Sequence, residues 1–281
     1  MNMKKVTGLV SALILSFSLA GCGTQDKMSA EAQTKPLAAK ETAEKTMGEE
    51  SIMADAWYQT SGEAKALYYQ GYNIGKMKLD EALKKGTKKK PAVVLDLDET
   101  VLDNSPWDAY VAQKGKAFPY KWNEWVNAAK AKAVPGAVDF LNDANKKGVD
   151  IYYVSDRSVD QLDATIKNLK REHIPQANKE HVLLKGKNDT SKKGRDDRIA
   201  KTHDIVLFFG DNLSDFPNFK GKSLEDRNKA VEEQKSQFGD KFIIMPNPMY
   251  GDWEGALYNF KDKKAHEKIK ERKAHLNAFQ P

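Results

Sequence analysis

The sequence predicts an α/β domain in which a parallel sheet is covered by helices on both faces. Three observations support this prediction. Five short apolar runs are continuous rather than alternating, and helical patterns separate these runs. Polar residues lie just beyond the ends of three of the runs. The runs cover residues 92–95, 149–154, 181–184, 205–209 and 242–245. Continuous β-rich runs are typical of strands buried on both faces, and intervening helices favour parallel crossover connections.

The helices expected between these strands share the apolar spacing of an amphipathic helix. They cover residues 138–145, 159–171, 191–200 and 223–237. Before the first strand, aromatic and aliphatic residues recur at helical spacing from Asp55 to Leu83, where Gly62, Gly71 and Gly75 could interrupt the helix. The lysine-rich stretch after Phe260 predicts a terminal helix with a solvated face.

The first 22 residues have a different character. A basic head of Lys4 and Lys5 precedes a mostly apolar stretch at 6–20, which is too short to favour a stable membrane span. Small residues follow it, which is typical of a secretory signal peptide. Cys22 stands directly after them, as in the bacterial lipobox, whose cysteine is acylated and becomes the mature N-terminus. An ordinary signal peptide with an incidental cysteine is the alternative.

We therefore predict a signal peptide at 1–21, a lipid-anchored flexible tether at 22–50 and a folded domain at 51–281. The tether region is rich in Ala, Glu, Lys, Thr and Gln and has no aromatic residue. The lipid on Cys22 would hold the protein on the extracellular face of a bacterial membrane. Because Cys22 is the only cysteine, an intramolecular disulfide and a zinc–thiolate cluster are excluded.

Charge gives little guidance about partners. Lysine and arginine number 46 against 40 aspartates and glutamates, a formal net charge of +6. Such a mild excess is typical of a solvated surface. No recognition motif for nucleic acid accompanies it, so we expect no nucleic-acid partner.

Polar residues cluster just beyond the ends of three predicted strands: Asp96 and Asp98, then Ser155, Asp156 and Arg157, then Asp211 and Asp215. In open α/β sheets, ligands bind beyond the carboxyl ends of the strands, so these clusters should share one rim. Close carboxylates repel one another unless a cation lies among them. Oxygen ligands without Cys or His favour Mg²⁺.

These side chains suit phosphoryl transfer. An aspartate can attack phosphorus as a covalent nucleophile. A second aspartate can protonate the leaving oxygen and then activate water. A hydroxyl such as Ser155 and a nearby lysine would donate to the equatorial phosphoryl oxygens.

Segments 94–105 (VLDLDETVLDNS) and 206–216 (VLFFGDNLSDF) resemble the two signature segments of the class C bacterial acid phosphatases. These are the lipoprotein, four-aspartate branch of the haloacid-dehalogenase superfamily, and the similarity runs from about Asp55 to the C-terminus. The resemblance implies a Rossmann-like sheet of haloacid-dehalogenase type with a smaller helical cap or N-terminal extension. It also implies magnesium-dependent hydrolysis of phosphomonoesters at the cell surface, through an aspartyl-phosphate, with 5′-nucleotides as candidate substrates.

The resemblance implies a role for four aspartates of the two segments and for Ser155. Asp96 is the nucleophile and a metal ligand. Asp98 is the general acid and base and binds the metal through its backbone carbonyl. Ser155 supplies the hydroxyl after the second core strand. Asp211 is a metal ligand, and Asp215 supports the metal or the catalytic lysine.

The resemblance leaves the catalytic lysine to be chosen among Lys185, Lys187, Lys192 and Lys193. Family members carry a lysine three residues before an arginine, which fits Lys192 and Arg195. The sequence departs from the family at Asp156, where relatives often have Asn. The extra negative charge would lie near the phosphate unless Arg157 or another base pairs with it.

Two aromatic residues match the substrate pocket of the family. Trp122 and Tyr250 are the candidates for stacking on a nucleobase or another aromatic leaving group. The alternative is that they pack within the core or the cap. A homodimer is compatible with the sequence.

Three other functions share part of this residue pattern. A dehalogenase would keep Asp96 but would not need Asp98. A phosphotransferase would differ only in the acceptor. A non-catalytic surface lipoprotein on the same fold would be expected to lose members of the set Asp96, Asp98, Ser155, Lys192 and Asp211, which is intact here.

Overall fold

The computed structural model describes the backbone from Gln25 and the side chains from residue 39 to the C-terminus. The predicted signal peptide and Cys22 lie outside the described residues. The chain divides into a first unit that ends at Lys40 and a second unit, Glu41–Pro281, which carries the sheet. Within the described part of the chain, no helix has the length and apolar character needed to cross a membrane.

The second unit is built on a five-stranded sheet in the order β5-β4-β1-β6-β7. All four pairings in it are parallel, which confirms the predicted fold class. A small antiparallel pair, β2-β3, stands apart from it. The strands are β1 (Lys90–Leu95), β2 (Leu102–Asp103), β3 (Lys132–Ala133), β4 (Asp150–Ser158), β5 (Val182–Lys185), β6 (His203–Gly210) and β7 (Phe242–Ile244).

Helices connect the strands and extend the fold at both ends. They are α1 (Gln25–Thr60), α2 (Gly62–Lys85), α3 (Ser105–Gln113), α4 (Trp122–Ala128), α5 (Ala137–Lys146), α6 (Leu162–Arg171), α7 (Lys193–Thr202), α8 (Leu224–Glu233), α9 (Asp252–Leu257) and α10 (Ala265–Ala274). The four helices predicted between the strands and the predicted terminal helix are all present as α5, α6, α7, α8 and α10.

The start of α1 differs from the prediction that ordered structure begins near Ser51. The chain is helical from Gln25, so the region predicted as a flexible tether overlaps α1. The physical reason is its composition, because Ala, Glu, Lys and Gln are strong helix formers as well as common linker residues.

Both faces of the sheet are buried, as the continuous apolar runs predicted. Successive strand residues point to opposite faces. Val93 and Leu95 of β1 therefore join one apolar cluster, and Ala92 and Val94 join another. Helices α2, α5 and α6 contribute to the first cluster, and α7 and α8 contribute to the second.

Helix α2 begins where one of the three predicted breaks lies. Ser61 caps its N-terminus by accepting a hydrogen bond from the Ala64 N–H, at 3.0 Å. The other two predicted breaks, at Gly71 and Gly75, are wrong, because the helix continues through both. A Cβ at Gly71 would stand 2.8 Å from the Met245 sulfur, and one at Gly75 would overlap the Phe209 ring. These glycines therefore allow α2 to pack closely on the sheet.

Two tyrosines of α2 hold the loop that follows β1. The Tyr68 hydroxyl donates to the carbonyl of Glu99 at 2.6 Å, and the Tyr72 hydroxyl donates to the carbonyl of Thr100 at 2.6 Å. Both tyrosines are buried. The helical extension thus fixes the backbone directly after Asp96 and Asp98.

Candidate active site

Three carboxylates meet at the carboxyl end of the sheet. Asp96 follows β1, Asp211 follows β6, and Asp215 ends the short 3₁₀ turn Leu213–Asp215. Each offers an oxygen within 4.8 Å of the other two. Asp96 and Asp215 are buried, and Asp211 is partly exposed. The parallel pairing of β1 with β6 places the first two side by side.

One lysine lies among these carboxylates. The Lys192 ammonium donates to Asp96 and, at 2.7 Å, to Asp215. Lys192 precedes the first residue of α7 and is buried. Of the four candidate lysines, Lys193 instead pairs with Asp197 at 2.5 Å, and Lys185 and Lys187 do not line the cavity. The structure therefore places Lys192 in the site.

Burial and mutual repulsion dominate the electrostatics of this cluster. Burial raises the pKa of Asp96, the charge of Lys192 opposes it, and the carboxylates of Asp215 and Asp211 raise it further. Burial and the Asp215 charge raise the pKa of Asp211 to about 7. Burial lowers the pKa of Lys192, but Asp215 and Asp96 outweigh it and raise that pKa, so the lysine stays charged.

The donor set fits a hard divalent cation. One lysine cannot balance three clustered carboxylates, so a cation would relieve their repulsion. None of the chain's five histidines lines the cavity, and the ligand atoms are oxygens, which Mg²⁺ prefers. The side-chain amides of Asn247 and Asn212 donate to one oxygen of Asp211, at 2.8 and 3.2 Å, which orients that carboxylate.

Asp98 has different partners from Asp96. Arg157 donates to the Asp98 carboxylate from Nε at 3.0 Å and from Nη2 at 2.7 Å. The amide of Asn104 donates to the same carboxylate at 2.7 Å. The Asp98 side chain keeps 19% exposure, toward the cavity. The two aspartates of the Asp-Leu-Asp segment are therefore bound by different basic side chains, Asp96 by Lys192 and Asp98 by Arg157.

Arg157 is a site residue whose role the sequence did not show. Its side chain is 1% exposed, and its Nη1 donates to the Thr165 hydroxyl at 3.2 Å. The guanidinium carbon lies 5.6 Å from the centre of the Trp122 ring. The ring of Trp107 stands against Trp122 at 4.9 Å. The sequence placed Arg157 on the rim of the sheet but offered only the adjacent Asp156 as its partner.

Arg195 is the base that pairs with Asp156. Its Nη2 donates to that carboxylate at 2.9 Å. Its Nη1 donates to the carbonyls of Ser155 and Leu183, at 2.5 and 3.0 Å. Burial would raise the pKa of Asp156, but the charges of Lys192 and Arg195 outweigh it and lower that pKa. The extra charge is thus neutralised, and the start of α7 is tied to β4 and β5.

A cavity of about 760 Å³ opens over the carboxylates. All eight predicted catalytic, metal and substrate residues line it: Asp96, Asp98, Trp122, Ser155, Lys192, Asp211, Asp215 and Tyr250. Trp122 and Tyr250 are half-buried, so each keeps part of its ring available to a ligand. Arg157 lines the same cavity, while Asn247 acts from behind Asp211.

Comparisons with known proteins agree with this geometry. Residues 14–253 match the family described as HAD superfamily, subfamily IIIB (acid phosphatase). The solved structure of the class C acid phosphatase from Bacillus anthracis is 60% identical, covers 83% of this chain and 99% of its own, and gives a TM-score of 0.82. Its tungstate-bound form is also 60% identical, covers 84% and 100%, and gives a TM-score of 0.83.

Proposed function

The chain belongs to subfamily IIIB of the HAD superfamily, the acid phosphatases, and from that premise we propose that it hydrolyses phosphomonoesters through a phosphorylated Asp96, with Mg²⁺ bound. Phosphomonoester hydrolysis follows from the family. The intermediate and the metal are supported by one observation: buried Lys192 joins Asp96 to Asp215 beside the carboxylate of Asp211.

In the first half of the reaction, a carboxylate oxygen of Asp96 attacks phosphorus and the bond to the leaving oxygen breaks. Asp98 gives its proton to that oxygen. The positive charge of Lys192 and the hydroxyl of Ser155 face the phosphoryl oxygens, where charge develops. In the second half, water attacks phosphorus while Asp98 accepts its proton, and Asp96 is released with inorganic phosphate.

The residues that would hold the metal are the side chains of Asp96 and Asp211 and the backbone carbonyl of Asp98, with Asp215 in support. When bound, a divalent cation supplies positive charge that offsets the carboxylates and the incoming phosphate. Asn247 keeps Asp211 in place for the cation, and Lys192 keeps Asp215 and Asp96 in place.

We propose 5′-nucleotides as substrates because two aromatic residues border the cavity beside the carboxylates. Trp122 and Tyr250 offer flat surfaces of the kind that bind a nucleobase. A comparison of kcat/KM for adenosine 5′-phosphate and glycerol phosphate tests this. A higher value for the nucleotide that falls in Tyr250→Ala, with glycerol phosphate unchanged, supports nucleotides; equal values for both esters reject them.

The phosphoenzyme is tested by rapid quenching with ³²P-labelled substrate. A labelled protein that loses its label to hydroxylamine is expected, because acyl phosphates react with that nucleophile. The label should be absent in Asp96→Asn and undiminished in Asp197→Asn, an exposed aspartate that pairs with Lys193. Turnover without label in the wild-type protein would contradict the intermediate.

The rival functions are separated by the same assay. A phosphotransferase would label Asp96 but transfer phosphate to an added alcohol in preference to water. A binding protein on an inactive fold would show neither label nor turnover. The bond of Asp98 to Arg157, on the leaving-group side of Asp96, favours the hydrolase over a dehalogenase, which needs no acid there.

We further propose the extracellular face of the cell membrane as the location, through a lipid on Cys22. The support is the sequence alone: a basic head, a short apolar stretch and a small residue before the only cysteine. Labelled palmitate should enter the wild-type protein and not Cys22→Ser, and only the wild-type protein should remain with the membrane. Equal labelling of both would contradict the proposal.

A further inference from the structure

We propose that Arg157 is a positioning residue that aims the Asp98 carboxyl at the leaving-group oxygen, and that Trp122 keeps the arginine in this pose. The inference rests on the proposed role of Asp98 as general acid. It adds a residue that touches neither the nucleophile nor the metal ligand side chains, and it assigns Trp122 a second task beside its contact with the leaving group.

The contact between Arg157 and Asp98 fixes an orientation as well as a charge. Arg157 Nε lies 3.0 and 3.2 Å from the two oxygens of Asp98, and Nη2 lies 2.7 Å from one of them. A planar guanidinium that spans both oxygens sets the plane of the carboxylate, which a point charge does not. Asn104 donates to the same oxygen as Nη2, at 2.7 Å, and completes the restraint.

The arginine is itself restrained on three sides. It belongs to β4, and its backbone N–H donates to the Ser155 hydroxyl at 3.2 Å. Its Nη1 donates to Thr165, which is fully buried, at 3.2 Å. The Trp122 ring covers the guanidinium at 5.6 Å. A buried guanidinium held by these contacts cannot follow Asp98 if that side chain turns, so Asp98 is held where it is.

This arrangement keeps the two catalytic carboxylates from exchanging partners. Lys192 binds Asp96, and Arg157 binds Asp98. If Asp98 were free to turn toward Lys192, it would leave the leaving-group side of the site and compete with Asp96 for the lysine. The separate arginine prevents this, so the acid stays opposite the nucleophile during both halves of the reaction.

The test is the dependence of kcat/KM on the leaving group in Arg157→Lys. Lysine retains the charge but not the planar fork. For an alkyl phosphate, whose leaving oxygen needs a proton, we expect a loss of roughly 10²-fold, within the range that general acids contribute. For 2,4-dinitrophenyl phosphate, whose leaving group needs no proton, we expect a change below about threefold. Arg198→Lys, an exposed arginine of α7, is the control and should match the wild-type protein with both esters.

An equal loss for both esters would overturn the proposal, because a purely structural arginine would damage every step alike. Unchanged kcat/KM for both would overturn it as well. Thr165→Val tests the same idea without altering Arg157, since it removes only the bond to Nη1. It should give a smaller loss that is again confined to the alkyl ester, and a uniform loss would count against the proposal.

A crystal structure of Arg157→Lys separates this inference from the proposed chemistry. A rotated Asp98 carboxylate supports the positioning role, and an unmoved one overturns it, whatever the turnover. Failure of the proposed function would instead appear in the wild-type protein, as turnover without a phosphorylated Asp96.

Discussion

The two ends of the central sheet differ in whether their acidic side chains are matched by basic ones. At the carboxyl end, Asp96, Asp211 and Asp215 share the single ammonium of Lys192. At the amino end, Asp150 lies between Lys90, at 2.7 Å, and His203, at 2.7 Å. Acid is in excess at one end and is balanced at the other.

The pKa values move in opposite directions at these two ends. Burial and neighbouring carboxylates raise the pKa of Asp96, against the pull of Lys192. Burial would raise the pKa of Asp150 too, but hydrogen bonds and charge from Lys90 and His203 outweigh it and lower that pKa. The difference teaches that a buried acidic group indicates function when its charge is left unbalanced, whereas a half-buried acidic group that is balanced by bases needs no role beyond stability.

The largest difference between the two ends should appear when one carboxylate is removed at each end in turn. Asp96→Asn should lower kcat by at least about 10⁴-fold, because the proposed nucleophile is lost. Asp150→Asn, the same substitution at the balanced end, should leave kcat within about twofold. Steady-state hydrolysis of p-nitrophenyl phosphate measures both. Comparable losses in the two variants would show that the charge balance does not separate function from structure.

Removal of the metal should affect the carboxyl end of the sheet and leave the amino end unchanged. EDTA should abolish turnover and Mg²⁺ should restore it. Mg²⁺ at 100 times its Kd should stabilise the protein by about 2.7 kcal/mol, seen as a rise in Tm. Asp211→Asn should lose most of that rise, and Asp150→Asn should keep it. A rise of the same size in both variants would place the cation elsewhere.

A third acidic site extends the comparison, because it has an excess of acid without a cation. Asp55 of α1 is buried, and while Asp108 is ionised no N–H or O–H of the described residues reaches its carboxylate oxygens. Its neighbour is the carboxyl of Asp108 in α3. Burial, together with the hydrogen bond and the charge of Asp55, raises the pKa of Asp108 to about 8. We infer that the two carboxyls share a proton.

Such a pair should make the protein less stable as pH rises. The unfolded carboxyls ionise near pH 4, whereas Asp108 in the folded protein holds its proton up to about pH 8. The contribution of the pair is therefore complete below pH 4 and lost as pH rises to 8. Asp108→Asn, which can donate to Asp55 at any pH, should be more stable than the wild-type protein at pH 8 by roughly 1–2 kcal/mol. Urea unfolding at pH 5 and pH 8 measures this; an equal pH dependence in both proteins would exclude the shared proton.

The smallest effect is expected at the balanced end. Because the pKa of Asp150 is lowered, its contribution to stability is present above about pH 4 and is lost as pH falls through the folded pKa. His203→Gln should lower the free energy of unfolding by about 1 kcal/mol above about pH 4 and by little at more acidic pH, without a change in kcat. Thermal unfolding from pH 3 to pH 7 checks the window. A loss that grows toward acid pH would contradict the assignment.

The sequence was sufficient where a residue's neighbours along the chain decide its position. The five strands and their parallel direction follow from continuous apolar runs, and the meeting of Asp96 with Asp211 follows from the acids that come just after two of these runs. The resemblance to the family favoured Lys192 over three other lysines, because family members carry a lysine three residues before an arginine, and Lys192 is the one that reaches the carboxylates.

Other features depend on contacts between distant segments. Arg157 binds Asp98, 59 residues earlier, and nothing in the local pattern distinguishes that partner from the adjacent Asp156. Gly71 and Gly75 look like helix breakers, but their role depends on Met245 and Phe209 on the sheet. The early start of α1 was missed because one composition suits both a linker and a helix.

The three-way attachment of Arg195 has a practical consequence for engineering. It fixes Lys192 relative to β4 and β5 through the first turn of α7, and its Nε also lies 3.5 Å from the Asp189 carboxylate in the segment 186–191 that leads into α7. The same carboxylate accepts a hydrogen bond from the Gly186 N–H at 3.0 Å, so this segment is a tight turn attached to Arg195. Residues inserted after Gly186 would break that turn and its contact with Arg195, so a peptide tag or a new specificity loop should be grafted outside 186–191.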